Sequence, residues 1–211
     1  YIVGYTDGTF GPSRSMTRSE AAAIFARLLA EKNGDTISTA ANTKFADIPA
    51  HAWYSGYVKY LSNNGITYGK SKTIFAPNDA ITRAEFTTMA VRFFDVYGDG
   101  DAEIMEQFSG FNDVSSGYWA AEYIKYAALH GWINGYGDGS FHADREINRA
   151  EVVTIVNRLL GREADEDYIA DNLRKLNTFP DVSRKHWAYY AVMEAANAHT
   201  AVLGENESWS K

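Results

Sequence analysis

The sequence predicts an all-α, helix-rich fold: three pseudo-threefold-related lobes of helix-loop-helix repeats around a central helical bundle. Three recurring phrases carry that expectation. The first reads MTRSEAAAIFARLL from Met16, ITRAEFTTMAVRFF from Ile81 and INRAEVVTIVNRLL from Ile147, which places Arg18, Arg83 and Arg149 at spacings of 65 and 66 residues. The second reads FADIPAHAW from Phe45, FNDVSSGYW from Phe111 and FPDVSRKHW from Phe179. The third is a glycine loop, GYTDGTF from Gly4, GKSKTIF from Gly69 and GYGDGSF from Gly135. Self-similarity at a fixed period marks a repeat architecture, in which each unit buries its apolar face against a neighbour.

Each unit runs from F-x-D through an amphipathic helix and a glycine turn into an arginine-bearing second helix. For the first helix, Trp53, Tyr57, Tyr60 and Leu61 fall at i, i+4, i+7 and i+8, and Trp119, Tyr123 and Tyr126 begin the same way. Gly65 and Gly131 stand where a left-handed residue would end it. In the second helix, Ile24 and Leu28 form a stripe repeated by Met89 with Phe93 and by Ile155 with Leu159. Thr17 with Glu20, Thr82 with Glu85 and Asn148 with Glu151 each fit a capping box.

The whole chain, 1–211, reads as one repeat domain. It divides into a partial repeat (1–44, loop plus second helix), a full repeat with an acidic linker (45–110), a second full repeat with a linker (111–178) and a last partial repeat (179–211, first helix). A lone half-unit would leave an apolar helix face unburied, so the two terminal halves are expected to pair in space. The linkers begin at Asp95 and Arg162, and the second has room for a short helix. Around Asp95, Asp99, Asp101 and Glu103 the carboxylates resemble a calcium loop. Tyr97 at the third position lacks the required oxygen, and the stretch reads as a solvated linker.

Composition narrows the function classes. The 211 residues carry a net charge of −7, which argues against nucleic acid as a general partner. They are 45% hydrophobic and 14% aromatic, enough to pack a core. Zero cysteines exclude disulfides and thiolate metal sites. No apolar run approaches the ~20 residues of a membrane span, so no membrane insertion is expected. The start lacks a signal and an initiator Met, and reads as part of a longer chain. His51, His130, His142, His186 and His199 show no metal spacing, and no nucleophile, phosphate or dinucleotide motif appears. No metal and no cofactor are expected. An active site is normally unique, whereas here every polar feature is triplicated, which favours multivalent binding over catalysis.

The arginines stand apart from the capping chemistry. At the first helical position a cation faces the positive end of the helix dipole, unfavourable by roughly 0.3–1 kcal/mol. Each therefore calls for a partner. The internal candidates are Asp47, Asp113 and Asp181, 29 to 32 residues downstream. The external candidate is an anion held by helix N–H groups and a guanidinium fork. The two answers are compatible. Trp53, Trp119 and Trp187 fall on the apolar face and read as core, with an edge available to a sugar ring, while the F-x-D acids fit an N-cap or loop anchor as well as a ligand contact.

Together the glycine loop, the F-x-D…W phrase and the TRAE phrase resemble the S-layer homology domain over nearly the whole chain outside the two linkers. The resemblance implies a three-lobed module that attaches exported proteins non-covalently to the bacterial cell wall, at the cell surface. In Gram-positive members the ligand is an anionic secondary cell-wall polysaccharide bearing pyruvyl ketals, held in grooves between repeats. In some diderm bacteria related domains grip peptidoglycan and tie it to the outer membrane. Carried onto this chain, Arg18, Arg83 and Arg149 meet the ligand carboxylate, and Asp47/Trp53, Asp113/Trp119 and Asp181/Trp187 form the opposite groove walls. The departures lie in GKSKTIF, which lacks the Asp-Gly turn of its sisters, in Asn148 for Thr, and in a C-terminal GENESWSK without the arginine motif. Rival readings are a protein–protein module with vestigial grooves and a carbohydrate-active enzyme using paired acids.

Overall fold

The structure, a computed structural model, describes residues 1–98, 108–202 and 208–210. The helices are α1 (Arg18–Asn33), α2 (Ser55–Asn63), α3 (Arg83–Tyr97), α4 (Ala121–Leu129), α5 (Arg149–Leu159), α6 (Glu166–Asn172) and α7 (Tyr189–Ala196). A 3-10 turn at Leu173–Lys175 follows α6. The class is all-α, with one addition near the C-terminus: β1 (Thr200–Val202) pairs antiparallel with β2 (Ser208–Ser210). Most of the acidic stretch considered for calcium, including Asp99, Asp101 and Glu103, lies outside the described residues.

Each arginine helix starts on a capping box. Thr17, Thr82 and Asn148 accept from the N–H of Glu20, Glu85 and Glu151, whose carboxylates accept from the cap N–H in return. Such a cap stabilises a helix by about 1 kcal/mol. The helices pair across the connections, α1 with α2, α3 with α4 and α5 with α7. The expected partnership was the one through the glycine loop. In the fold each arginine helix instead packs on the F-x-D helix that follows it.

The register of the first helix is also shifted. The α2 helix begins at Ser55, so Trp53 stands before it, and the buried face is Tyr54, Val58 and Leu61 rather than the aromatic stripe. Its equivalent in α4 is Ala120, Ile124 and Ala127. Gly65 and Gly131 adopt φ of 73° and 68° and close these helices, as a C′ glycine does.

Two compact units make up the chain, one of residues 15–147 and the other of residues 1–14 with 148–211. In the first, three buried residues join hands: the Met16 N–H donates to the Ile147 carbonyl (3.0 Å), Ile147 to Ile81 (3.0 Å) and Ile81 back to Met16 (2.9 Å). This closed ring satisfies the N–H and the carbonyl of all three residues. In the second unit the two ends of the chain meet. Phe10 packs on Phe179 with ring centroids 5.3 Å apart, and a Cβ on Gly4 would enter the Phe179 ring. Ile169 of α6 is buried in this unit, and Asp165 caps α6 while its other oxygen accepts from the Trp209 N–H (3.0 Å).

Candidate functional site

One clamp is built three times. The F-x-D phenylalanine lies against the loop phenylalanine: Phe45 on Phe75, Phe111 on Phe141 and Phe179 on Phe10, with centroids 5.1–5.5 Å apart. The opening glycine of each loop, Gly4, Gly69 or Gly135, sits so close to the first of these rings that a Cβ has no room. The acid two residues after that phenylalanine then takes two successive backbone N–H groups. Asp47 accepts from Phe75 (2.9 Å) and Ala76 (2.6 Å), Asp113 from Phe141 and His142 (both 2.7 Å), and Asp181 from Phe10 (2.9 Å) and Gly11 (2.7 Å). The second donor in each pair has positive φ, 60° at Ala76, 55° at His142 and 68° at Gly11. That conformation turns two N–H groups toward one anion.

The arginines close the clamp from the other side. Arg18 Nε donates to the Phe75 carbonyl (2.8 Å), Arg83 to Phe141 (2.9 Å) and Arg149 to Phe10 (2.8 Å). Nη2 of Arg83 reaches the Asn134 carbonyl and that of Arg149 the Val3 carbonyl. All three arginines are only 4–5% exposed, and each guanidinium lies 4.4–4.9 Å from the centroid of the same phenylalanine. Arginine and acid of one set thus hold one loop peptide, Asp on its N–H and Arg on its carbonyl. Charge-assisted bonds of this kind contribute about 1.5–3 kcal/mol each, more than the helix dipole costs.

Two sequence expectations change here. The helix N–H groups that were offered to an external anion are already bonded within the protein. Arg18 and Ser19 donate to Asp79 and Pro77, Arg83 and Ala84 to Arg145 and Ala143, and Arg149 and Ala150 to Arg14 and Pro12. The tryptophans, read as core, are exposed by 54% (Trp53), 57% (Trp119) and 65% (Trp187). They stand before the helix, off its buried register.

Within residues 15–147 the clamp opens onto a cleft lined by Arg18, Tyr68, Gly69, Glu85, Arg92 and Trp119. Arg18 therefore shares a cleft with Trp119, where the sequence pairing had placed it with Trp53. Glu85 lies 3.3 Å from Arg18 Nη1 and also bonds Lys70 Nζ. Burial pushes the Glu85 carboxyl up, but Lys70, the Thr82 N–H and Arg18 outweigh it and hold the group below its usual value. Burial lowers the Arg18 pKa, with Glu85 opposing. Arg92 stacks on Tyr68 (4.7 Å) and Tyr123 (5.0 Å) and donates to the Tyr123 hydroxyl (3.1 Å). Thr88, 4% exposed, lines the same cleft with a hydroxyl that has no hydrogen-bond partner among the described residues. Beside Trp119, Tyr118 donates to Asp144 (2.6 Å), and burial with that bond pushes its pKa up to about 12.

Sequence reasoning missed Arg92, Tyr68, Lys70 and Thr88, and gave Glu85 only its capping role. A signal for Arg92 existed: Arg27, Arg92 and Arg158 repeat nine residues after each clamp arginine. No cluster of three or more His, Cys, Asp or Glu side chains suited to a metal occurs among the described residues. No helix among them is long and apolar enough to cross a membrane.

Comparison with known proteins agrees with this architecture. Cell surface glycoprotein 1 of Acetivibrio thermocellus is 34% identical over 98% of this chain, which spans 9% of that protein. The Cellulosome-anchoring protein of the same organism is 31% identical over 98% of the chain, and the match spans 44% of its length. The Surface-layer 125 kDa protein of Lysinibacillus sphaericus is 32% identical over 75% of the chain, with 13% of its own length matched. The chain thus spans less than half the length of each of these relatives. The profile of the S-layer homology domain matches residues 1–22, 44–87 and 110–153, just over half of the residues, and these parts carry the three glycine loops, the three arginine phrases and the first two F-x-D phrases. The chain belongs to the S-layer homology domain family.

Proposed function

We propose that this chain is a non-catalytic anchor that fixes a longer exported protein to the bacterial cell wall by binding an anionic secondary wall polysaccharide. The observation that carries this reading is the Arg18 cleft. It sets an exposed tryptophan beside two arginines and a buried hydroxyl that lacks a partner. An indole face is a platform for the C–H face of a sugar ring, and a guanidinium suits a carboxylate. Relatives named as a cellulosome-anchoring protein and a surface-layer protein support the cell-surface setting.

In this reading Trp53, Trp119 and Trp187 are the sugar contacts. Asp47, Asp113 and Asp181 shape the loops from within, and Arg18, Arg83 and Arg149 do the same while lending positive potential to the ligand carboxylate. Weak repeated sites then combine through effective concentration.

Retention of the purified chain on isolated cell walls, before and after extraction of the secondary polymer, tests the proposal. Loss of retention after extraction is expected. Equal retention on both preparations would transfer the function to peptidoglycan. Failure on both, with capture of a purified surface protein, would favour a protein-interaction module, and release of reducing sugar from the walls would support an enzyme.

A further inference from the structure

We infer that Lys70 sets the chemical selectivity of the Arg18 cleft, tuning it to a glycan unit that bears a carboxylate; the inference rests on reading that cleft as a wall-glycan site. The three copies within this chain differ at two linked positions. Where the second loop has Lys70, the other two have Tyr5 and Tyr136; where it has Asp79, they have Arg14 and Arg145. In the first loop the Arg14 guanidinium lies 4.1 Å from the Tyr5 ring centroid. In the third, Arg145 lies 5.8 Å from Tyr136 and donates to its hydroxyl. Each of those pairs is a cation stacked on an aromatic ring within its own loop.

The second loop replaces both members of the pair. With the stack gone, the Lys70 ammonium bonds the Glu85 carboxylate in the cleft wall, on a side chain that remains 39% exposed. An ammonium carries three donors, and Glu85 accepts only one of them at Oε1. Arg18 and Lys70 both approach Glu85 and Arg92 lines the same cleft, while Asp47 and Asp79 also act on Arg18, so Lys70 is a cation that this loop alone adds beside the cleft.

A second difference points to the same place. In the third copy the hydroxyl of Thr154 is satisfied by the Ala150 carbonyl (2.9 Å). Its counterpart Thr88 makes no such bond and is buried against the cleft. A buried hydroxyl without a partner is satisfied when a ligand oxygen reaches it. A sugar on the Trp119 face, its carboxylate toward Lys70 and Arg92 and a ring oxygen toward Thr88, meets each of these groups. A neutral sugar offers the remaining ammonium donors no second anion beside Glu85.

The test uses the whole chain and fragments of purified secondary wall polymer, either native or with the carboxyl groups reduced to alcohols. Binding at this cleft is followed from the Trp119 indole N–H resonance, assigned with Trp119→Phe. The unaltered chain is expected to bind the native fragment about tenfold more tightly than the reduced one. Lys70→Gln should cut that ratio to about threefold or less, and Lys70→Arg should restore most of it. A loop merely loosened by the substitution would weaken both fragments alike and leave the ratio intact, which overturns the inference. If the unaltered chain binds both fragments equally, the selectivity inference falls and the wall-glycan reading stands. If it binds neither, both fall.

Discussion

Replacing Asp47 by alanine tests the clamp at its most exposed claim, that a carboxylate and a guanidinium hold the same peptide. The substitution removes the acceptor of two N–H groups, those of Phe75 (2.9 Å) and Ala76 (2.6 Å). Phe75 is fully buried, so its N–H has no water to replace the lost bond, while Ala76 is half-buried and can be partly rehydrated. Counting the first bond in full and discounting the second gives a loss of roughly 2–4 kcal/mol. For a chain of this size that lowers Tm by about 4–16 °C. Scanning calorimetry or far-UV circular dichroism melts measure it. Arg18→Met attacks the same peptide through its carbonyl, 2.8 Å from Nε. Once either residue is lost the loop is already released, so the double variant should fall short of the summed single losses by at least 1 kcal/mol. Additivity within about 0.5 kcal/mol, or an Asp47→Ala drop below 2 °C, would refute the shared-peptide account.

Three further outcomes follow from the same geometry. Ala76→Gly should stabilise the fold by about 0.5–1 kcal/mol in urea titration, because a side chain at φ 60° costs ~1–2 kcal/mol and glycine gives back part of that gain as unfolded-chain entropy; a loss of stability would mean that the Ala76 methyl contributes packing. Burial raises the Asp113 carboxyl, but the Phe141 and His142 N–H groups outweigh it and hold its pKa below the usual value. Its stabilising contribution is therefore complete above the unfolded value near 3.9 and disappears as pH falls through the folded one, so the Tm gap between the unaltered chain and Asp113→Asn should narrow from pH 7 to pH 3. Trp187→Ala, at a side chain 65% exposed, should change stability by no more than about 0.5 kcal/mol yet reduce retention on cell walls; a large drop in Tm would return this tryptophan to a structural role.

What could be read in the sequence follows from where each partner's identity is encoded. The capping boxes were legible because both partners are side chains three residues apart. The arginines were recognisable as unexplained, but their main partner was not nameable. It is a main-chain carbonyl 57 or 58 positions downstream for Arg18 and Arg83 and 139 positions upstream for Arg149, and every residue offers a carbonyl. The acids could be read as loop anchors or ligand contacts alike, and their partners could not be named for the same reason, since they bond backbone N–H groups. The tryptophans misled because helical spacing was extended one turn too far. The α2 helix starts two residues after Trp53, and spacing says nothing about a residue outside the helix.

The internal copies also sort the residues by role. Positions identical in every copy, the clamp arginine, the F-x-D acid and the two phenylalanines, are those the fold uses to pin its loops. Positions that differ, Lys70 with Asp79 against the tyrosine and arginine pairs, lie on the loop beside the Arg18 cleft. A repeat protein cannot alter a clamp in one copy without losing a loop, because the buried peptide would be left unbonded. It can alter the cleft one copy at a time. On the wall-glycan proposal, divergence between copies is where differences in ligand preference would arise, and identity between them is where the architecture resides.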